Sequence, residues 1–361
     1  MILYTPEELR LHLPNHAYDD VTSMFGAFRR SEADVLKEKI GAPLYAEMLK
    51  HYNAVEESVR EAWLLQLNGP DPWAELTYLC QQVVVFDAFM RSADINAISV
   101  NQSGINQVSA ENYDAATKDG IAAYKKQLYK ETHDAVNRLL VWLEEQASQL
   151  GDGRLKMEDG ILDESDESDG GSVSDGLPIE TIITLWQSSK YYYLISDLFI
   201  STATVFNRYV DIHDSREKFI NLLPDLRYCQ ANYIENELGD TLTADLLQKS
   251  MNGTGNPHEN KLLDKIREAL ALCVESRSKL FDRKAAKDEA IGSIARMTEY
   301  LAWHILDFDP ESVKSFPNYA QAMQQAEARQ HPVSDGLPVG ETTPWQNNQP
   351  GNAMLVMPTI Y

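Results

Sequence analysis

The chain has 361 residues and a net charge of −23 at pH 7, from 32 Lys and Arg against 55 Asp and Glu. That length suits two domains of ordinary size. The acidity argues against a protein that coats nucleic acid, because phosphate binding needs a basic footprint, and leaves room only for a local basic patch. Three cysteines, Cys80, Cys229 and Cys273, fall in helical contexts without a CxxC pair and read as core thiols of a reducing compartment. The first residues, Met1-Ile2-Leu3-Tyr4-Thr5-Pro6, lack the basic region and apolar core of a signal peptide. No stretch reaches the ~18 uncharged apolar residues that span a bilayer. A soluble protein made in a cytoplasm is expected, with no membrane partner.

Thr5-Pro6-Glu7-Glu8 is a helix start: a capping threonine, a first-turn proline, then acids near the positive end of the dipole. Pro14 ends that helix. Asp19-Asp20 opens a longer one that closes at Gly41, and Leu44, Met48 and Leu49 mark a third. Glu56 to Leu67 reads as a fourth, followed by the turn cluster Asn68-Gly69-Pro70-Asp71-Pro72. Trp73 to Met90 is apolar on most of its circumference and is expected to be a central, buried helix. Residues 97–108 alternate apolar and polar around Gly104, the pattern of a small β-hairpin. A very long helix is expected from Ser109 or Glu111 to Gln149.

Residues 151–178 break the helical pattern, and within them 163–172 is acidic and without apolar anchors, so the stretch reads as an acidic, Gly- and Ser-rich linker. Beyond it, Ile179 to Ser188 looks helical, and Lys190 to Ile195 suits either a strand or a continuing helix. Ser196-Asp197 is expected to cap a helix over Leu198 to Val210, and Asp214-Ser215 the next, with Pro224 as a kink. Further helices are expected over Lys261–Asp282, Ala285–Leu306 and Glu311–Arg329. Residues 331–361 turn rich in Pro, Gly and Asn and then end on Ala353-Met354-Leu355-Val356-Met357-Pro358-Thr359-Ile360-Tyr361. The hexapeptide at 173–178 returns at 333–338.

One pattern occurs twice, 198 residues apart. Phe28 to Leu49 and Leu226 to Leu247 align without a gap: Arg29 meets Arg227, Ala33 meets Ala231, Gly41 meets Gly239, Leu44 meets Leu242. In the first copy Phe28, Val35, Leu36 and Ile40 form an apolar stripe at helical spacing. Gly41 and Gly239 are structural turn residues, each ending a helix in the left-handed conformation that glycine tolerates best. Ala42-Pro43 restarts the chain in the first copy, and Asp240 is expected to cap the restart in the second.

Motifs of catalysis are missing: no GxxxxGK[ST], GxSxG, HExxH, or GxGxxG after a strand. Asp211, His213 and Asp214 read as capping rather than metal ligands, Trp303-His304 as packing, and Tyr191 to Tyr193 as core or interface. Arg29 and Arg227 read as partners of neighbouring acids such as Glu32. No catalytic, cofactor or metal residues are assigned, and no enzyme is expected.

Phe199 to Gly239, with Phe206-Asn207-Arg208-Tyr209 and Asp214-Ser215-Arg216, resembles an uncharacterised protein family of Bacteroides-type phages and prophages. Ala33 through Ile40-Gly41 is similar to the helical head–tail connector proteins of tailed phages. Doubling of the module, the acidic insertion and the long tail depart from single-module connectors. The repeat and the run of elements predict a mainly α fold of two tandem helical modules, 1–150 and 179–330, joined by the linker at 151–178 and followed by an extended arm at 331–361. The resemblance implies a virion protein of the neck, a portal adaptor between portal and tail, in a homo-oligomeric ring of about 12 copies that DNA threads without sequence-specific contact. A non-viral helical scaffold of a mobile element is the alternative. Met354, Leu355, Val356, Met357, Ile360 and Tyr361 are expected to dock on an adjacent protomer or on a neck protein such as the portal, because water does not keep such side chains exposed.

Overall fold

The computed structural model describes residues 1–14, 19–96, 98–101, 104–107, 117–149, 178–189, 191–194, 197–281 and 283–330. The expected linker and the C-terminal arm lie outside them. Capping chemistry places the first helix, α1 (Pro6–His12): Thr5 Oγ1 accepts from the Glu8 N–H, and the Thr5 N–H is directed at Glu8 Oε2. Next come α2 (Phe25–Ser31), a five-residue π-helical turn (Glu32–Leu36) and α3 (Lys37–Ile40), closed by Gly41. The first half continues with α4 (Ala42–Ala54), α5 (Glu57–Leu64), α6 (Pro72–Asn96) and α7 (Lys118–Gln149). Between α6 and α7, β1 (Ile98–Asn101) and β2 (Gly104–Gln107) pair antiparallel with Asn101 opposite Gly104.

After α8 (Pro178–Gln187), the second half holds α9 (Ala203–Asn207), α10 (Arg216–Cys229), a π-helical turn (Gln230–Ile234) and α11 (Glu235–Leu238). Gly239 then leads into α12 (Asp240–Asn252), α13 (Pro257–Arg277) and α14 (Arg283–Trp303). A short 3₁₀ turn (Ser312–Ser315) precedes α15 (Tyr319–Gln330). The fold is mainly helical. No helix among the described residues is long and apolar enough to cross a membrane.

From the π-turn to the end of the helix after glycine, the two halves match element for element at the offset of 198. A π-turn inserts one residue into the helical ladder and rotates the next stretch of helix, which a 3.6-residue pattern does not reveal. Each bulge is held by the same clamp. In the first half, Glu32 Oε1 accepts from the Ile2 N–H at 2.7 Å, and Gln81 Nε2 on α6 donates to the Ile2 carbonyl. In the second, Gln230 Oε1 accepts from the Phe199 N–H at 3.0 Å, and Arg267 Nε on α13 donates to the Phe199 carbonyl at 3.0 Å. Glu32, Gln230 and Gln81 are buried, so each clamp satisfies polar groups that would otherwise be stranded in the core.

The clamp corrects two expectations. Leu198 to Val210 is not one helix, because Phe199 gives both its backbone groups to side chains; only Ala203–Asn207 is helical, and Thr202 rather than Ser196-Asp197 caps it. Arg29 does not pair with Glu32, whose carboxylate faces the Ile2 N–H instead. Arg227, at the other copy's position, lies 3.8 Å from Asp197 at the surface.

The two turn glycines adopt φ 84°, ψ 155° and φ 82°, ψ 155°. That is not the left-handed helical conformation expected from the sequence but the extended positive-φ region that only glycine enters readily. Space is short as well. A Cβ on Gly41 would meet the Ser189 side chain, and one on Gly239 would lie 2.0 Å from the Ser315 carbonyl oxygen. Asp240 does not cap α12; Ser315 does so from across the fold, its Oγ accepting from the Leu242 N–H at 3.0 Å.

The long helices carry the core. Trp73, Leu76, Cys80, Val83, Val84 and Phe86 on α6 are buried, and α13 buries Leu262, Ile266, Leu270 and Val274. One continuous apolar cluster runs through both halves. Their junction is polar at its rim. Glu144 on α7 accepts from Arg216 Nε and Nη2 at 3.1 and 3.0 Å and from the Tyr193 hydroxyl at 2.7 Å. Lys39 Nζ and His133 both reach Glu217. Of residues 190–195, Tyr191 to Leu194 form neither strand nor helix, since the buried Tyr193 ring turns inward to Glu144.

Clamp and glycines each have a measurable effect on stability. Glu32→Leu strands the Ile2 N–H and is expected to cost about 1–3 kcal/mol in urea unfolding, whereas Glu32→Gln, which copies the other half, costs less than about 1 kcal/mol. Gly239→Ala is expected to lose more than Gly41→Ala, each by at least about 1 kcal/mol, because a backbone carbonyl yields less than a serine side chain.

Candidate docking groove

Where α10 and its π-turn meet the turn from α13 to α14, the surface opens into a groove of about 890 Å³. Its apolar wall comes from Leu280, Ile291 and Ile294, its aromatic edge from Tyr233, and its floor includes Cys273. Leu280 and Ile291 are each 57 % exposed, which is unusual for aliphatic side chains of this size. Both owe their exposure to local geometry. Leu280 sits in the short turn between two helices. Ile291 falls one position off the buried stripe of Ala290, Met297 and Leu301 on α14.

The other wall is charged and stacked. Arg277 Nε donates to Asp225 Oδ1 at 2.9 Å, and its guanidinium lies 3.6 Å from the Tyr228 ring centroid. Tyr228 meets Tyr233 edge to face, with centroids 6.1 Å apart. Lys279 and Lys287 also line the groove, so its rim carries three cations against Asp225. The arrangement is an apolar trough with a cationic, aromatic border.

The same place in the first half is polar. Ser31, at the position equivalent to Cys229, is hydrogen-bonded to Asp87, which accepts from Arg91 Nε at 2.7 Å. In the second half Cys229 and Cys273 replace that pair. All three cysteines are buried and free. Burial pushes the Cys229 thiol up to about 12 and the Cys273 thiol to about 11, so neither offers a thiolate near neutral pH.

Of the turn residues expected from the sequence, Gly41 packs at Ser189 after α8, and Gly239 at Ser315 before α15. Neither lines the groove. Met354, Leu355, Val356, Met357, Ile360 and Tyr361 lie outside the described residues. Asp211 and His213 are exposed on a loop, where the His213 N–H donates to Asp211 Oδ1, and Asp214 binds Arg216. Trp303 is not core packing: it is exposed, with the Arg329 guanidinium 4.1 Å from its ring.

A family model described as a family of unknown function (DUF6712) matches residues 36–150. That span runs from the end of the first π-turn to the end of α7 and includes Gly41 but not the groove. No curated protein and no solved structure matches the chain.

The thiols report on the groove floor. A disulfide reagent at about pH 8 is expected to label none of Cys80, Cys229 and Cys273 in the native protein, and all three in denaturant. Rapid native labelling of Cys273 would show that the floor opens.

Proposed function

We propose that the chain is a structural virion protein, a head–tail connector or portal adaptor that forms a ring between portal and tail. The observation that carries this reading is the clamped, bulged helix–glycine–helix unit present in both halves, with an apolar groove left open beside the second. A rigid unit used twice around one core suits a part that transmits contacts rather than one that gates chemistry. We read the two halves as products of a tandem duplication. The equivalent π-turns, the equal glycine torsions and the paired clamps support it, since unrelated helices have no reason to share all three.

A cyclic ring is built from heterologous contacts: each copy offers one surface and receives a different one. The groove is the receiving surface. The offered element is the segment 353–361 of a second copy, which is apolar and carries no charged side chain. Residues 331–352 can span at most about 75–80 Å, ample to cross to a neighbour. Burying four or five of the segment's side chains gives several kcal/mol, at roughly 1.5–3 kcal/mol each, against the cost of ordering a short stretch. Portal and tail proteins are the further partners of such a ring.

Negative-stain microscopy of the purified protein with its portal tests the reading. Rings docked on the portal are expected; a monodisperse monomer that ignores the portal contradicts it. Deleting residues 352–361, or Ile291→Asp in the groove, is expected to abolish assembly while leaving the helical circular-dichroism signal intact. Assembly of both variants at wild-type efficiency would contradict the groove-and-arm contact.

A further inference from the structure

A second feature of the second half stands apart from the groove. His258, on the first turn of α13, meets His304 and Asp307, which come just after the last turn of α14. His258 is 46 or more positions from the other two in sequence, and the long helical hairpin brings them together at its open end. The imidazole rings lie 4.4 Å apart at their centroids, tilted by 35°. His304 Nδ1 is 2.9 Å and His258 Nδ1 3.8 Å from the same Asp307 oxygen, Oδ2. One donor atom from each of the three residues lies within 4.8 Å of the others.

We propose that His258, His304 and Asp307 form a site for a divalent transition-metal ion of the zinc class. Around tetrahedral zinc, with ligand bonds of about 2.0–2.2 Å, donor atoms stand roughly 3.4 Å apart. The observed separations bracket that value, so small side-chain rotations complete the geometry. Two imidazoles and one carboxylate are the donor set that borderline metals favour over calcium or magnesium, which take oxygen ligands. The Tyr300 hydroxyl, 3.2 Å from His258 Nδ1, turns away when that nitrogen takes the ion, while the backbone of Asp307 is held by Asn256 Nδ2, which donates to its carbonyl at 2.9 Å. Second-layer contacts of this kind fix ligand orientation in metal sites.

A recess of about 240 Å³ lined by Trp303, His304, Asp307 and Arg329 adjoins the cluster and leaves room for a fourth ligand, water in the isolated chain. The ion ties the start of α13 to the end of α14. The first half has no counterpart among the described residues: at the matching end of α6, Trp73 stacks on His51 at 4.2 Å instead. Among the described residues the metal site thus belongs to the second half alone, and it stands whether or not the chain forms a ring.

Titration calorimetry with zinc on the chelator-stripped full-length protein tests the proposal. One saturable site is expected, with cobalt taking its place and giving the intense visible absorption of a tetrahedral ion. His258→Gln and Asp307→Asn, both at partly exposed side chains, are each expected to weaken binding at least about tenfold, with an unchanged far-ultraviolet circular-dichroism spectrum. His213→Gln, at the exposed Asp211 loop, is expected to bind as wild type. Absence of saturable binding, or wild-type affinity in both cluster variants, would overturn the proposal.

Discussion

A single buried residue clamped at both backbone groups, Ile2 in one half and Phe199 in the other, is the constraint on which the architecture depends. Its N–H goes to the first residue of a π-turn and its carbonyl to a central helix. That links three chain segments through two hydrogen bonds in a dry environment, where an unpaired backbone group costs about 1–3 kcal/mol. With the bulge fixed, the short helix after it points to a glycine at positive φ, and the next helix leaves at a set angle. The segments at Ser189 and Ser315 then pack on the glycine where no other residue leaves room.

The clamp is chemically different in the two halves while its geometry is the same. Glu32 is matched by Gln230, and Gln81 by Arg267. An acid beside an amide in one half becomes an amide beside a cation in the other, and each combination supplies one acceptor for the N–H and one donor for the carbonyl. Beside it, Ser31 and Asp87 give way to Cys229 and Cys273. The hydrogen-bonding requirement of the clamped residue is therefore what both halves preserve, while charge and polarity around it diverge. This divergence leaves the surface next to the second clamp apolar enough to form a groove.

Much of the helical framework was legible in the sequence, because apolar stripes, caps and prolines act locally. Thr5 and Ser215 cap as their side chains suggest, and α6 is buried as its near-continuous apolar circumference implies. The glycine positions were legible from the repeat, but their torsions were not, since only the approach of Ser189 and Ser315 decides ψ. The π-turns were invisible because one inserted residue merely shifts a stripe. The clamping of Phe199 and the capping of α12 by Ser315 depend on residues 31 and 73 positions away, beyond any local pattern. The groove left one faint trace, Ile291 standing off the buried stripe of its helix. The meeting of His258 with His304 and Asp307 left none, because it depends on how α13 and α14 align.

Native-state hydrogen exchange at two backbone amides tests the clamp most directly. If Ile2 and Phe199 are each pinned by a buried side chain, both amides exchange only through large-scale unfolding, with protection close to that of the α6 and α13 core. Fast exchange of either amide, while those helices remain protected, would contradict the account.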